Sequence, residues 1–338
     1  MRIHVVTHTH WDREWYLPAG RFRQRLVSLI DELLDAPPMQ GESFLLDGQG
    51  IVLEDYLAVR PDRRAELSAL LRDGRIEAGP WFVLADELIP GGEALVRNLL
   101  AGRRTLRALR AESPSVLYCP DSFGHPAILP LLASGFGMQA VIVWRGYGGS
   151  RWPAGDAAWW HAPDGTRALL LHLPPDGYEF GSNLPDDPAA ADARWSRMRD
   201  VLAPRARLGL MLVQNGADHH ARQRGHAASV DALRAVAHPD SVTASSLRAY
   251  VGDALHAARS AALPGVTGEL RDSYGYTWTL QGTFGARAAQ KRTNARCERL
   301  LVRDAEPWAA LARAAHATSS RALMDAAWRA LLECHPHD

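Results

Sequence analysis

What most restricts the fold of this chain is a series of short, unbroken apolar runs. A strand with one solvated face alternates apolar and polar residues, whereas a strand covered on both faces reads as a continuous apolar stretch, as in parallel sheets sandwiched by helices. "IHVVT", "SFLLDG", "RIEAGPW", "SVLYCP", "QAVIVW", "RALLLHL" and "RLGLMLVQNG" are mostly of the second kind. Between the first two lies "RFRQRLVSLIDELLD", in which Phe22, Leu26, Leu29, Ile30 and Leu33 share one helical face. Further helices are predicted over residues 61–73, 92–111, 222–236 and 245–259. This alternation of strand and helix predicts an α/β fold.

From about Gly282 onward the strands cease. "FGARAAQKRTNARCERLLVRDAEPWAALARAAH" and "SSRALMDAAWRALLECH" read as two long helices joined at "ATSS". The Gly-, Pro- and turn-rich residues 262–281 mark a boundary, so the expected division is an α/β catalytic domain over residues 1–270 and a helical module over 271–338.

Composition narrows the class of function. The 338 residues carry 38 basic and 38 acidic groups, and the basic ones are scattered, which argues against nucleic acid, membrane surface or a polyanionic substrate. Cys119, Cys297 and Cys334 are far apart and lack the spacing of a redox or structural zinc motif. Met1 leads straight into "RIHVVTHTH" with no charged leader, and no apolar run approaches the length of a membrane span. A reduced, cytoplasmic protein is expected, with no signal and no anchor.

In parallel α/β sheets ligands gather at the carboxyl ends of the strands. Here "HTHWD", "DGQ", "PDSFGH" and "ADHH" each follow an apolar run. Side chains alternate along a strand, so His8, His10 and, on a continued extended path, Asp12 point to one side. Imidazole and carboxylate donors in that pattern favour zinc over calcium or magnesium. The competing reading makes these groups strand caps, with His8 a hydrogen-bonded supporting residue. Asp121 alone reads equally as a turn or helix N-cap residue, and Asp218 as a helix cap followed by solvated His219 and His220. Trp11 and Trp81 read as core residues, Asp47 and Gln49 as supporting ones, and Asp86, Glu87, Glu93 and Arg97 as a buried hydrogen-bonded scaffold.

Taken together, "HTHWDREW", "DGQGIVLEDYL", "AGPWFVLADELIPGGEALVRNLLAGRR", "PDSFGH", "VIVWRG", "NGADHH" and "LLECHPHD" resemble the α-mannosidases of glycoside hydrolase family 38, particularly their bacterial cytoplasmic branch. The resemblance runs from residue 3 to the end of the chain. It implies an irregular (β/α) barrel-like catalytic domain followed by an incomplete helical bundle, with the family's C-terminal β-domains absent. It implies one zinc ion held by His10, Asp12, Asp121 and His337, with Asp121 also the nucleophile and Asp218 the acid/base. Trp15 and Phe123 match aromatic walls of the sugar subsite, Arg145 a supporting polar residue, and Asp338 a position that hydrogen-bonds sugar hydroxyls.

The implied substrate is a mannose-containing oligosaccharide or glycoside, and some bacterial members hydrolyse mannosylglycerate or its phosphorylated form. A zinc sugar deacetylase is the mechanistic rival, and a sugar- or metal-binding chain without turnover the non-enzymatic one. A homo-oligomer is compatible with the sequence. Retaining hydrolysis requires two carboxylates about 5–5.5 Å apart, and a metal site requires ligand atoms within roughly 4–5 Å of one another. His337 and Asp338 stand at the very end of the chain, where residues fray unless tied down. Leu323, Ala327, Leu331 and Trp328 are expected to dock the last helix on the preceding one, with nothing tethering His337 beyond Cys334. The expectation is weak metal affinity and little activity.

Overall fold

The computed structural model describes residues 1–273, 278–315 and 319–337. Its pivot is β1 (Arg2–His8), in which every residue after Arg2 is buried, as a strand covered on both faces must be. β2 (Phe44–Leu45), β8 (Leu210–Asn215) and β9 (Ser241–Ala244) all pair with β1 in parallel, and β3 (Ile76–Glu77) extends the sheet beyond β2. A second sheet has the order β10-β6-β7-β5-β4, built from β4 (Val116–Cys119), β5 (Ala140–Val143), β6 (Ala157–His161), β7 (Arg167–His172) and β10 (Gly265–Thr267). Val6 and Leu45 of the first sheet share one buried cluster with Val116, Ile142 and Leu171 of the second. The two sheets therefore close around a common core in the barrel-like manner expected.

Some elements differ from expectation. β6, β9 and β10 lie outside the apolar runs singled out above. β6 is antiparallel to β7 because Gly165, at φ 87°, turns the chain back so that Ala162 N donates to Thr166 O at 2.8 Å. Helix Pro188–Leu202 is also unexpected, since it buries only Ala191, Trp195, Met198 and Leu202. Its start is nonetheless capped by Asp187, which accepts from Ala190 N at 2.8 Å. Helix His226–Val236 begins four residues later than predicted, and so Asp218 does not cap it. By contrast, helix Ala19–Asp35 buries the predicted face.

The helical module runs from Ala288–Leu300 through a π turn, Leu301–Ala305, into Glu306–Ala314. Helix Arg321–Leu332 then returns and buries Trp328, Leu331 and Leu332. The expected stripe is rotated: Leu323 is exposed, while Leu332 packs with Ile51, Phe82 and Val83 of the α/β part. Trp328 and Leu331 cluster with Ala94 and Leu301, and Trp328 Nε1 donates to Glu306 Oε1 at 2.8 Å. Among the described residues no helix is long and apolar enough to cross a membrane.

A candidate metal and glycosidase site

The site is assembled where β1 and β8 run past their formal ends. His10 N donates to Ala217 O at 3.4 Å and His219 N to His10 O at 2.9 Å, which brings His10 beside Asp218. Glycine is required at 216 for this approach, because a Cβ there would lie 1.9 Å from His8 O. The loop after β2 locks the arrangement. Asp47 accepts from Trp11 N at 3.0 Å and sits 3.2 Å from His10 Nδ1, while Gln49 Nε2 donates to Trp11 O at 2.6 Å. His8 is turned elsewhere, its Nε2 at 2.9 Å from Tyr178 O, so the HxHxD string contributes His10 and Asp12 but not His8.

From the second sheet, Asp121 follows β4 and Arg145 follows β5. Arg145 Nε and Nη2 both reach Asp121 Oδ1, at 2.7 and 2.6 Å, and Nη1 donates to Trp278 O at 2.7 Å. No helix begins at Asp121. Burial opposes its charge, but His337 and Arg145 more than compensate and hold its carboxyl below the usual range. Phe123 sets its ring edge-on against His337, centroids 5.3 Å apart, and lies under the Arg145 guanidinium.

His337 corrects the expectation of an untethered terminus. Its backbone N donates to Leu84 O at 3.1 Å, and Pro336 forms an antiparallel bridge with Ala85. Asp86 N donates to His335 O at 2.9 Å, and Asn294 holds the His335 ring at 2.8 Å. The end of the chain is thus an added edge segment paired to residues 84–86. Its His337 Nε2 lies 3.5 Å from Asp12 Oδ1 and 3.4 Å from Asp121 Oδ2. Asp338 lies outside the described residues.

These donors fit a zinc ion. His10 Nε2 is 3.1 Å from Asp12 Oδ1, so the measured donor separations run from 3.1 to 3.5 Å. A tetrahedron with zinc–donor bonds of about 2.0–2.1 Å has edges of about 3.3–3.4 Å. The ring nitrogens are also assigned correctly. His337 Nδ1 donates to Leu84 O at 3.2 Å, and His10 Nδ1 faces Asp47, which leaves Nε2 as the donor nitrogen of each ring. Glu87, Cys119 and His125 form a second buried group, but His125 Nδ1 already pairs with Glu87 at 2.8 Å. There burial, reinforced by Glu87, pushes the Cys119 thiol up and keeps it protonated. This group belongs to the expected scaffold, as does the Arg97 to Glu93 contact at 2.7 Å, although Glu93 is not buried.

Asp218 has the opposite environment to Asp121. Burial raises its pKa to about 6; the neighbouring Asp12 and Glu179 charges add to the shift, while His10 and the Tyr178 hydroxyl oppose it. Glu179 Oε1 accepts from Asp218 N at 3.3 Å. Tyr178 stands among Asp121, Asp218 and Asp12, all of which raise its own pKa. Tyr178 and Glu179 were not selected from the sequence, although "PPDGYEF" follows the β7 run just as the other site strings follow theirs. Trp15 is exposed at the rim, 6.5 Å from the buried His219 ring, which is packed rather than solvated. Trp11 and Trp81 are core residues, both nearly inaccessible.

This fold and donor set define an α/β metallohydrolase-like site, and similarity to known proteins specifies the family. The profile of the glycosyl hydrolases family 38 N-terminal domain matches residues 1–264. A protein of Halalkalibacterium halodurans, named as a candidate mannosylglycerate hydrolase, is 32% identical across 99% of this chain and 38% of its own length. Mouse alpha-mannosidase 2C1 is 25% identical over 52% of the chain and 17% of its own length. The crystal structure of an alpha-mannosidase from Enterococcus faecalis superposes with a TM-score of 0.91 at 31% identity, over 99% of this chain and 38% of that one. The chain belongs to glycosyl hydrolase family 38. It spans about 38% of the length of the first of these relatives.

Proposed function

We propose that this chain is the catalytic portion of a zinc-dependent retaining α-mannosidase. The observation that carries the reading is a pair of carboxylates whose environments push their acidities apart around a shared Tyr178. Asp121 is held ionised by His337 and Arg145, and Asp218 is raised to about 6 by burial. An ionised carboxylate beside one that keeps its proton is what nucleophilic attack and leaving-group protonation demand. Asp121 attacks the anomeric carbon to form a glycosyl ester while Asp218 protonates the departing oxygen. Asp218 then takes the proton from the incoming water. Arg145 orients Asp121, and Trp15, Phe123 and Asp338 contribute to sugar binding.

His10, Asp12, Asp121 and His337 would hold the zinc ion. A bound zinc supplies Lewis-acid coordination for vicinal sugar hydroxyls. The mannosylglycerate reading stands beside the mannosidase one because of the relative that carries that name. A sugar deacetylase would have no use for a second carboxylate poised as Asp218 is.

The proposed division is an α/β domain over residues 1–270 and a helical middle module over 271–338. Trp308 and Leu311, exposed on Glu306–Ala314, support packing of that module against further protein, including a second copy. Free Cys119, Cys297 and Cys334 support a cytoplasmic setting.

Metal removal tests the reading. One zinc per chain is expected by elemental analysis. Hydrolysis of an aryl α-mannoside should be lost on chelation and return when zinc is restored. Hydrolysis that survives complete metal removal would contradict it.

A further inference from the structure

We propose that His219 is a positioning residue that fixes Asp12 for metal binding, an inference that rests on the zinc-site reading above. Asp12 lies beyond the end of β1 in a stretch with no helix or strand, so its orientation depends on specific backbone anchors. The residue before it, Trp11, is anchored by Asp47. Asp12 is anchored by His219, whose Nε2 accepts the Asp12 backbone N–H at 3.1 Å and lies 3.6 Å from Asp12 Oδ2.

The imidazole cannot swing away. It stacks on Phe22 with centroids 4.4 Å apart and planes at 24°, and meets the edge of Trp11 at 4.9 Å. Its own backbone is held in the left-handed region, φ 58°, which a residue with a side chain adopts only when its surroundings enforce it. The His219 N–H to His10 O bond, 2.9 Å, supplies part of that enforcement. One residue thus ties the β8 loop carrying Asp218 to two of the expected ligands, His10 through its backbone and Asp12 through its ring. An aromatic ring fills this slot, but among aromatic side chains of this size only imidazole offers an acceptor to the Asp12 N–H.

The test is zinc affinity, measured by competition with a chromophoric chelator on the full chain. His219→Phe keeps the stack and removes the acceptor. Its dissociation constant for zinc is expected to rise about 10–100-fold, the usual effect of losing a group that orients a ligand. In His219→Gln, Oε1 reaches about as far as Nε2, and most of the affinity should return. Thermal unfolding of the metal-free chain separates orientation from folding, because the Phe variant should melt no lower than the Gln variant. Wild-type zinc affinity in His219→Phe overturns the inference. So does a Gln variant as weak as the Phe variant with both melting lower, which would make the role purely structural. A wild-type chain that binds no zinc overturns the underlying metal reading and this inference together.

Discussion

Replacing Asp121 with Asn is expected to lower turnover of every α-mannoside by on the order of 10⁴-fold or more, the scale of losing a covalent nucleophile. An amide cannot form the glycosyl ester, and no activated leaving group compensates for that. The substitution also takes a charge from the metal donors and from Arg145, whose Nε and Nη2 both address Asp121 Oδ1. The Asn carbonyl still accepts one of these bonds. The fold should therefore lose only about 1–3 kcal/mol, the scale of an imperfectly satisfied buried polar group. Steady-state kinetics on an aryl mannoside, with thermal denaturation as the folding control, checks both halves. Residual activity within tenfold of wild type would remove Asp121 from the nucleophile role.

Asp218→Asn should divide substrates rather than abolish catalysis. Glycosides with poor leaving groups need a proton in the transition state and should lose about 10²–10⁴-fold, whereas activated aryl mannosides should lose far less in glycosyl-enzyme formation. The pH profile carries the same information. Burial raises the Asp218 pKa to about 6, so the acid is increasingly deprotonated as pH rises through that value and turnover of unactivated mannosides should fall. A cation bound nearby would favour the carboxylate and move this limb to or below about 6. In Asp218→Asn the limb should vanish. Equal losses on activated and unactivated substrates, with the limb intact, would transfer the acid role to another carboxylate. Glu179 is then the first to test, since it already contacts Asp218 N.

How much of this could be read in the sequence depends on how local the determinant is. His10, Asp12, Asp121 and Asp218 were legible as positions because each follows an unbroken apolar run, and strand ends in a parallel sheet converge. Their surroundings were not legible. Whether Asp218 caps a helix depended on a start at His226 rather than four residues earlier, and Gly225 sets that start with a positive φ. His219 looked like a surface histidine because its partners, Phe22, Trp11 and Asp12, lie some two hundred positions away in the chain. The tether on His337 was invisible for the same reason, being a strand-like pairing with residues 84–86. In the last helix, three- and four-residue spacing allowed either Leu323 or Leu332 to face inward. The choice was made by Ile51, Phe82 and Val83 on the α/β part, which receive Leu332. Local pattern thus gave elements and strand-end chemistry, while long-range packing decided which groups were oriented and which were left at the rim.

The central claim, that Asp121 attacks and Asp218 assists, is tested most directly by trapping the intermediate. The zinc-loaded chain would be incubated with an activated fluoro-sugar mannoside that forms the glycosyl-enzyme faster than water releases it, then digested and sequenced by mass spectrometry. The account predicts one sugar per chain, on the peptide containing "YCPDSFGH", with the mass increment at Asp121 and none in Asp121→Asn. Sugar attached to a different carboxylate, or hydrolysis with no covalent adduct under conditions that trap a retaining glycosidase, would contradict it.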